Sequence, residues 1–197
     1  MHILKPFDVV VGLKIGANER RLREGASANQ PNASNSVGDL AETLFKGKGE
    51  LSRSMRRLTA LGLISERAIQ SGDVVASNRR YYSLNRSAMA EFLVSGIRYV
   101  FQPEKQGLGR GIPTAWNCPL IQSEMNPPEI PLVWALPGGH VQGEMVEPLY
   151  AYCAKAVQLD DDLYALLALV DVVRTGKPRE LHYAKEMLKA RVMELHV

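Results

Sequence analysis

A chain of 197 residues, 46% hydrophobic and 23% charged, has the composition of a globular protein with room for one domain or two small ones. No apolar run approaches the roughly 20 residues that span a bilayer, and two cysteines exclude a disulfide framework. The net charge of +3 hides an asymmetry: residues 1–99 carry 15 Lys and Arg against 9 Asp and Glu, residues 100–197 carry 9 against 12.

A basic first half favours a polyanion as partner. The opening "MHILKPFDVVVGLKIG" lacks the basic start, apolar run and cleavage site of a signal peptide. A cytoplasmic protein with no membrane partner is therefore expected. Cys118 and Cys153 match no zinc spacing and read as small buried hydrophobes.

Lys5 to Gly16 reads as a helix, with Phe7, Val10, Val11 and Leu13 on its apolar face and Pro6 in its first turn. Residues 17–35 are rich in Asn, Ser and Ala and include Pro31. They read as a mobile polar insertion with a short helical turn around Glu19 to Glu24. Ser36 is an N-cap, with Asp39 as a short stand-in for the capping-box acid, and Val37, Leu40, Ala41 and Leu44 follow at helical spacing. "FKGKGE" is a turn. A second helix runs from about Glu50 to Leu61, and Gly62 stops it.

On that second helix Leu51, Met55 and Leu58 recur at i, i+4 and i+7 and fix the buried direction. Ser52, Arg53, Arg56, Arg57 and Ala60 fall opposite. That face is narrow and cationic, and no acid interrupts it between Glu50 and Glu66. Small residues let a backbone approach a groove, and Arg grips phosphate or the edge of guanine. "GLIS" then opens a strand, "SGD" and "SN" are turn chemistry, and "RRYYSL" is β-prone. Two strands joined by a basic turn after such a helix form a wing.

Residues 36–84 resemble the winged helix-turn-helix of bacterial transcription regulators with a MarR-like layout. "VGDLAETL", a short turn, "ELSRSMRRLTALGLI" and a hairpin carry the resemblance, and the ending Arg57, Leu58, Leu61, Gly62, Leu63, Ile64 is its most specific part. In one respect the chain departs: Phe45 stands where the turn glycine usually follows the first helix, and the glycines are displaced to 47 and 49. The resemblance implies that the second helix enters the major groove. Carried over by position, Lys46, Lys48, Ser52, Arg53 and Arg56 face DNA, Arg57 at the edge holds a phosphate or pairs with a local carboxylate, and Arg79 and Arg80 belong to the wing.

Ser87 to Val100 reads as one helix. The Pro- and Gly-rich stretch that follows contains "GLGRG", whose spacing is not a dinucleotide fingerprint. "PLVWALPGGHVQGEMVEPLY" reads as a hairpin turning at Pro137 to His140, with Trp134 in the core. Two helices close the chain. Asp160 caps the first, Gly176 ends it, and Pro178 starts the second. Leu181, Leu188 and Leu195 stand seven apart, as a dimer seam or a packed face.

The expected fold is therefore α+β: an N-terminal winged helix-turn-helix domain over 1–100, with 17–35 as its insertion, and a C-terminal region over 101–197 with a β-hairpin and two final helices. The expected function is a sequence-specific DNA-binding regulator, a repressor on a palindromic operator of double-stranded DNA, acting as a homodimer. The alternative is an antitoxin-like or defence-system partner whose C-terminal half binds a second protein. A catalytic cleft around Arg110, Trp116 and His140 ranks third. The four histidines show no metal spacing and no catalytic motif is present, so no catalytic residue, metal or cofactor is expected.

Overall fold

The computed structural model describes residues 3–27, 30–67, 81–121 and 128–194. The fold is α+β, with a two-stranded and a three-stranded sheet. The chain divides into two compact units, Met1–Met89 and Ala90–Glu194. The division falls ahead of the boundary expected at residue 100, because Phe92 and the residues after it pack within the second unit. The Phe92 ring, for example, meets Phe101 edge-on at 6.2 Å.

In the first unit, α1 (Pro6–Arg23) is followed by α2 (Val37–Thr43), α3 (Lys48–Ala60) and the strands β1 (Ile64–Arg67) and β2 (Tyr81–Leu84). The strands pair antiparallel, Ile64 opposite Leu84 and Arg67 opposite Tyr81. Helix α1 corrects the expected amphipathic helix ending at Gly16. It is buried on every side from Phe7 to Glu19 and runs on to Arg23.

The extension has a physical reason: its polar residues have partners inside the unit. The Glu19 carboxylate accepts from Arg86 at 2.8 Å, Asn18 Nδ2 donates to the Ser34 carbonyl at 2.8 Å, and Lys14 Nζ donates to Asn32 Oδ1 at 2.8 Å. Arg20, Arg21 and Arg23 in the last turn suit the negative end of the helix. Beyond it, Pro31–Ala33 forms a 3-10 turn, and the buried Asn35 donates to the carbonyls of Ile15 and Tyr82. The segment read as an insertion thus furnishes polar partners for the core helix.

The second unit begins in α4 (Arg86–Ser95), which the sequence joined to α5 (Ile97–Val100) as one helix. Gly96, a poor helix former, separates them. The strands are β3 (Lys105–Pro113), β4 (Leu132–Ala135) and β5 (Val141–Val146), and the helices are α6 (Cys153–Ala156), α7 (Asp161–Thr175) and α8 (Pro178–Glu194). The expected hairpin of β4 and β5 does not form. Both strands pair antiparallel with β3, run parallel to each other, and close a small barrel. The close approach that closure needs is made by glycine. A Cβ on Gly111 would strike the Trp134 carbonyl, and one on Gly139 would strike the Gly111 backbone. The "GLGRG" glycines are strand residues of β3.

Helix α7 is buried continuously from Leu163 to Arg174. The Asp160 carboxylate caps it by accepting from the Leu163 amide at 2.9 Å, as expected. Its interior carries one acid, Asp171, whose carboxylate accepts from Trp134 Nε1 at 2.6 Å, Thr114 Oγ1 at 2.9 Å and Arg174 Nη1 at 2.6 Å. Burial pushes this carboxyl up, against the pull of Arg174. Trp134 is core, as expected. On α8 the buried face is Ala184, Leu188 and Val192, and α8 packs on α7. Leu188 is fully buried inside this unit, so at that position the leucine spacing is a packed face. Leu195 lies outside the described residues.

Cys118 and Cys153 are free and buried, and burial pushes both thiols above their ordinary range. The thiolate is the reactive form. A disulfide reagent at neutral pH is therefore expected to label neither thiol of the native chain on the timescale that labels both in denaturant. Rapid labelling without denaturant would contradict their placement.

Candidate nucleic-acid interface

The candidate surface is built by two helix ends and the turn between α2 and α3. Ser36 Oγ accepts from the Asp39 amide at 3.1 Å and donates to the Asp39 carboxylate at 2.6 Å, so the expected cap forms. Ser34 Oγ donates to the same carboxylate. At the other end of α2 the chain turns sharply. The Lys46 amide donates to the Ala41 carbonyl at 2.9 Å, and the Phe45 amide donates to the Glu42 carbonyl at 3.2 Å. That pair of bonds is the Schellman closure, which needs a left-handed residue between helix and exit. Phe45 supplies it with φ +51°.

The missing turn glycine is thus answered by strain: the usual turn conformation is kept by a residue that disfavours it. Helix α3 ends in the same closure with its glycine in place. Gly62 has φ +70°, and the amides of Gly62 and Leu63 donate to the carbonyls of Thr59 and Leu58. A left-handed side-chain residue costs about 1 kcal/mol against glycine. Phe45→Gly is therefore expected to be more stable than Phe45→Ala by about 1 kcal/mol, the reverse of their order inside a helix. Urea denaturation of the two variants checks it, and equal midpoints would contradict the strain.

Helix α3 begins two residues earlier than expected, at Lys48, with Gly47 as N-cap. Leu51, Met55 and Leu58 are buried as expected, at 0%, 2% and 0% exposure. Each such burial contributes about 1.5–3 kcal/mol. Ser54 is buried beside them. On the other side Lys48, Arg53 and Arg56 are exposed and Ser52 is half-buried. Among the described residues no hydrogen bond or ion pair engages these four side chains. Lys48 sits in the first turn, where the helix dipole disfavours a cation, so helix stability does not explain it.

The other expected contacts are disposed differently. Lys46 Nζ lies 3.4 Å from the Glu50 carboxylate and 5.5 Å from the centre of the Phe7 ring, held against its own unit. Arg57 is corrected from a phosphate contact to an internal partner. Its Nε donates to Asp8 Oδ2 at 2.8 Å and its Nη2 to Asp8 Oδ1 at 2.6 Å. The reason is that Asp8 is completely buried on α1 and its charge needs a cation. The Asp8 bond raises the Arg57 guanidinium above its ordinary value. One signal in the sequence pointed to this pair: Asp8 is the lone acid in an otherwise apolar opening to α1. Arg79 and Arg80, with the turn expected between the strands, lie outside the described residues.

Among the described residues no cluster of three or more His, Cys, Asp or Glu could hold a metal, and no helix is long and apolar enough to cross a membrane. The cavity that Trp116 lines includes neither Arg110 nor His140, both of which are exposed. No protein-family model matches the chain, and no curated relative or solved structure matches it.

Proposed function

We propose that the first unit is a winged helix-turn-helix and that the protein is a sequence-specific DNA-binding regulator of transcription. In this reading α3 is the recognition helix. Lys48, Ser52, Arg53 and Arg56 meet the major groove, and the basic segment around Arg79 and Arg80 meets the backbone beside it. The observation that carries the reading is the division of the cations. Lys14, Lys46, Arg57 and Arg86 are held by partners within the unit, whereas Lys48, Arg53 and Arg56 stand exposed and unengaged on one helix among the described residues. A polyanion is the partner that such a cluster lacks.

One recognition helix reads only a few base pairs, so the protein acts as a homodimer on a two-fold site. Selection of duplexes from a randomised pool tests this. The expected result is enrichment of an inverted repeat, bound with an affinity that falls steeply as salt rises. A pool that shows no enrichment and no salt-dependent retention would contradict the reading.

A further inference from the structure

Lys48 and Arg53 each lie over a glycine. Long side chains on a helix lean back towards its N-terminus, over the residue four earlier. The Arg53 guanidinium does so: a Cβ placed on Gly49 would have Arg53 Nη1 as its neighbour at 3.8 Å. Lys48 runs back onto the first turn of α2, where a Cβ on Gly38 would meet its Cε at 3.9 Å. Each glycine leaves open the space along which a charged side chain runs.

The fold does not require glycine at either position. By contrast, Gly62 and Gly138 hold positive φ, and a Cβ on Gly143 would strike the Pro131 carbonyl. Gly38 and Gly49 are helical, without positive φ. Among the described residues, a Cβ added to either would make only ordinary van der Waals contacts. Glycine is also a poor helix former. What it provides at 49 is room on the outer surface. Gly49, Arg53, Arg56 and Ala60 recur at i, i+4, i+7 and i+11 and are all exposed, opposite the buried Leu51, Met55 and Leu58.

We infer that Gly49 is a positioning residue for Arg53, and Gly38 for Lys48, in the DNA contact proposed above, on which this inference rests. With no side chain at 49, the guanidinium lies flat along α3 and is carried one turn towards the N-terminus. The guanine it reads therefore faces the first turn of α3, the part of a recognition helix that meets base edges. A larger side chain at 49 fills that space and turns Arg53 away. A larger one at 38 displaces the Lys48 ammonium, which grips phosphate and carries no base recognition.

The test is a double-mutant cycle, read by fluorescence anisotropy on a selected duplex and its scrambled counterpart. Gly49→Leu is expected to weaken the selected duplex about five- to tenfold and to leave the scrambled one within about twofold of the parent. Gly49→Met is expected to do the same. Gly49→Ala, whose methyl stays in ordinary contact with the guanidinium, is expected to bind as the parent does. In an Arg53→Ala background, Gly49→Leu is expected to change affinity by less than about twofold. A leucine that collided with the DNA directly would instead weaken both backgrounds alike. The urea midpoint of Gly49→Leu is expected at or above the parent's, because leucine is the better helix former. Gly38→Leu is expected to weaken both duplexes alike and to add nothing to Lys48→Ala. If Gly49→Leu and Gly49→Met bind the selected duplex as the parent does, or Gly49→Leu loses as much affinity without Arg53 as with it, the inference is overturned and the DNA-binding reading stands. A parent that selects no duplex would overturn both.

Discussion

Arg57→Ala is expected to lower the stability of the first unit by about 3–5 kcal/mol, whereas Arg53→Ala, on the same helix, is expected to leave it near the parent. The contrast follows from what each guanidinium touches. Arg57 meets both oxygens of a carboxylate with 0% exposure, and Asp8 Oδ2 also accepts from the Lys5 amide at 2.8 Å. Removing the arginine strands that charge inside the unit, where desolvation penalises it. Arg57→Lys restores one point charge but not the two parallel bonds, so it should fall between. Replacing both partners with apolar residues, Asp8→Leu with Arg57→Met, should recover most of the stability, because a well-packed apolar pair often matches a buried ion pair. Urea denaturation followed by far-UV circular dichroism measures all four variants. Arg57→Ala unfolding at the parent's midpoint would show that the pair is dispensable and would return Arg57 to the candidate DNA-facing residues.

Much of this arrangement was legible in the sequence, and the misses share a cause. The buried stripe of α3, the Ser36 and Asp160 caps and the Gly62 stop are local: a few residues and their spacing determine them. The extent of α1 is not local. Asn18 and Glu19 read as part of a polar insertion until Ser34 and Arg86 supply their partners, 16 and 67 residues away. Arg57 was misplaced for the same reason, since helical geometry alone puts it on the open face and only Asp8, 49 residues earlier, turns it inward. The barrel was hidden differently. Turn chemistry between β4 and β5 favours a hairpin, but β3 takes the antiparallel edge of each strand, and Gly111 and Gly139 let the backbones come close enough to close it. Phe45 was legible as an anomaly, while its left-handed conformation required the turn itself.

The largest functional effect is expected at Arg53 and Arg56. Both are exposed on α3, opposite the buried Leu51, Met55 and Leu58, and no acid lies on the helix after Glu50. A bidentate contact from Arg to guanine is worth about 1–3 kcal/mol, so each substitution by Ala should weaken specific binding about 5- to 150-fold per half-site. Lys48→Ala, removing a compact charge from the first turn, should instead weaken selected and scrambled duplexes alike and reduce the salt slope by about one for each phosphate left without its cation. The decisive measurement is fluorescence anisotropy of the parent, Arg53→Ala and Arg56→Ala on a selected duplex and on its scrambled counterpart, at several salt concentrations. If α3 is the recognition helix, both variants lose affinity for the selected duplex and approach the parent's affinity for the scrambled one. Variants that bind both duplexes as the parent does would contradict it.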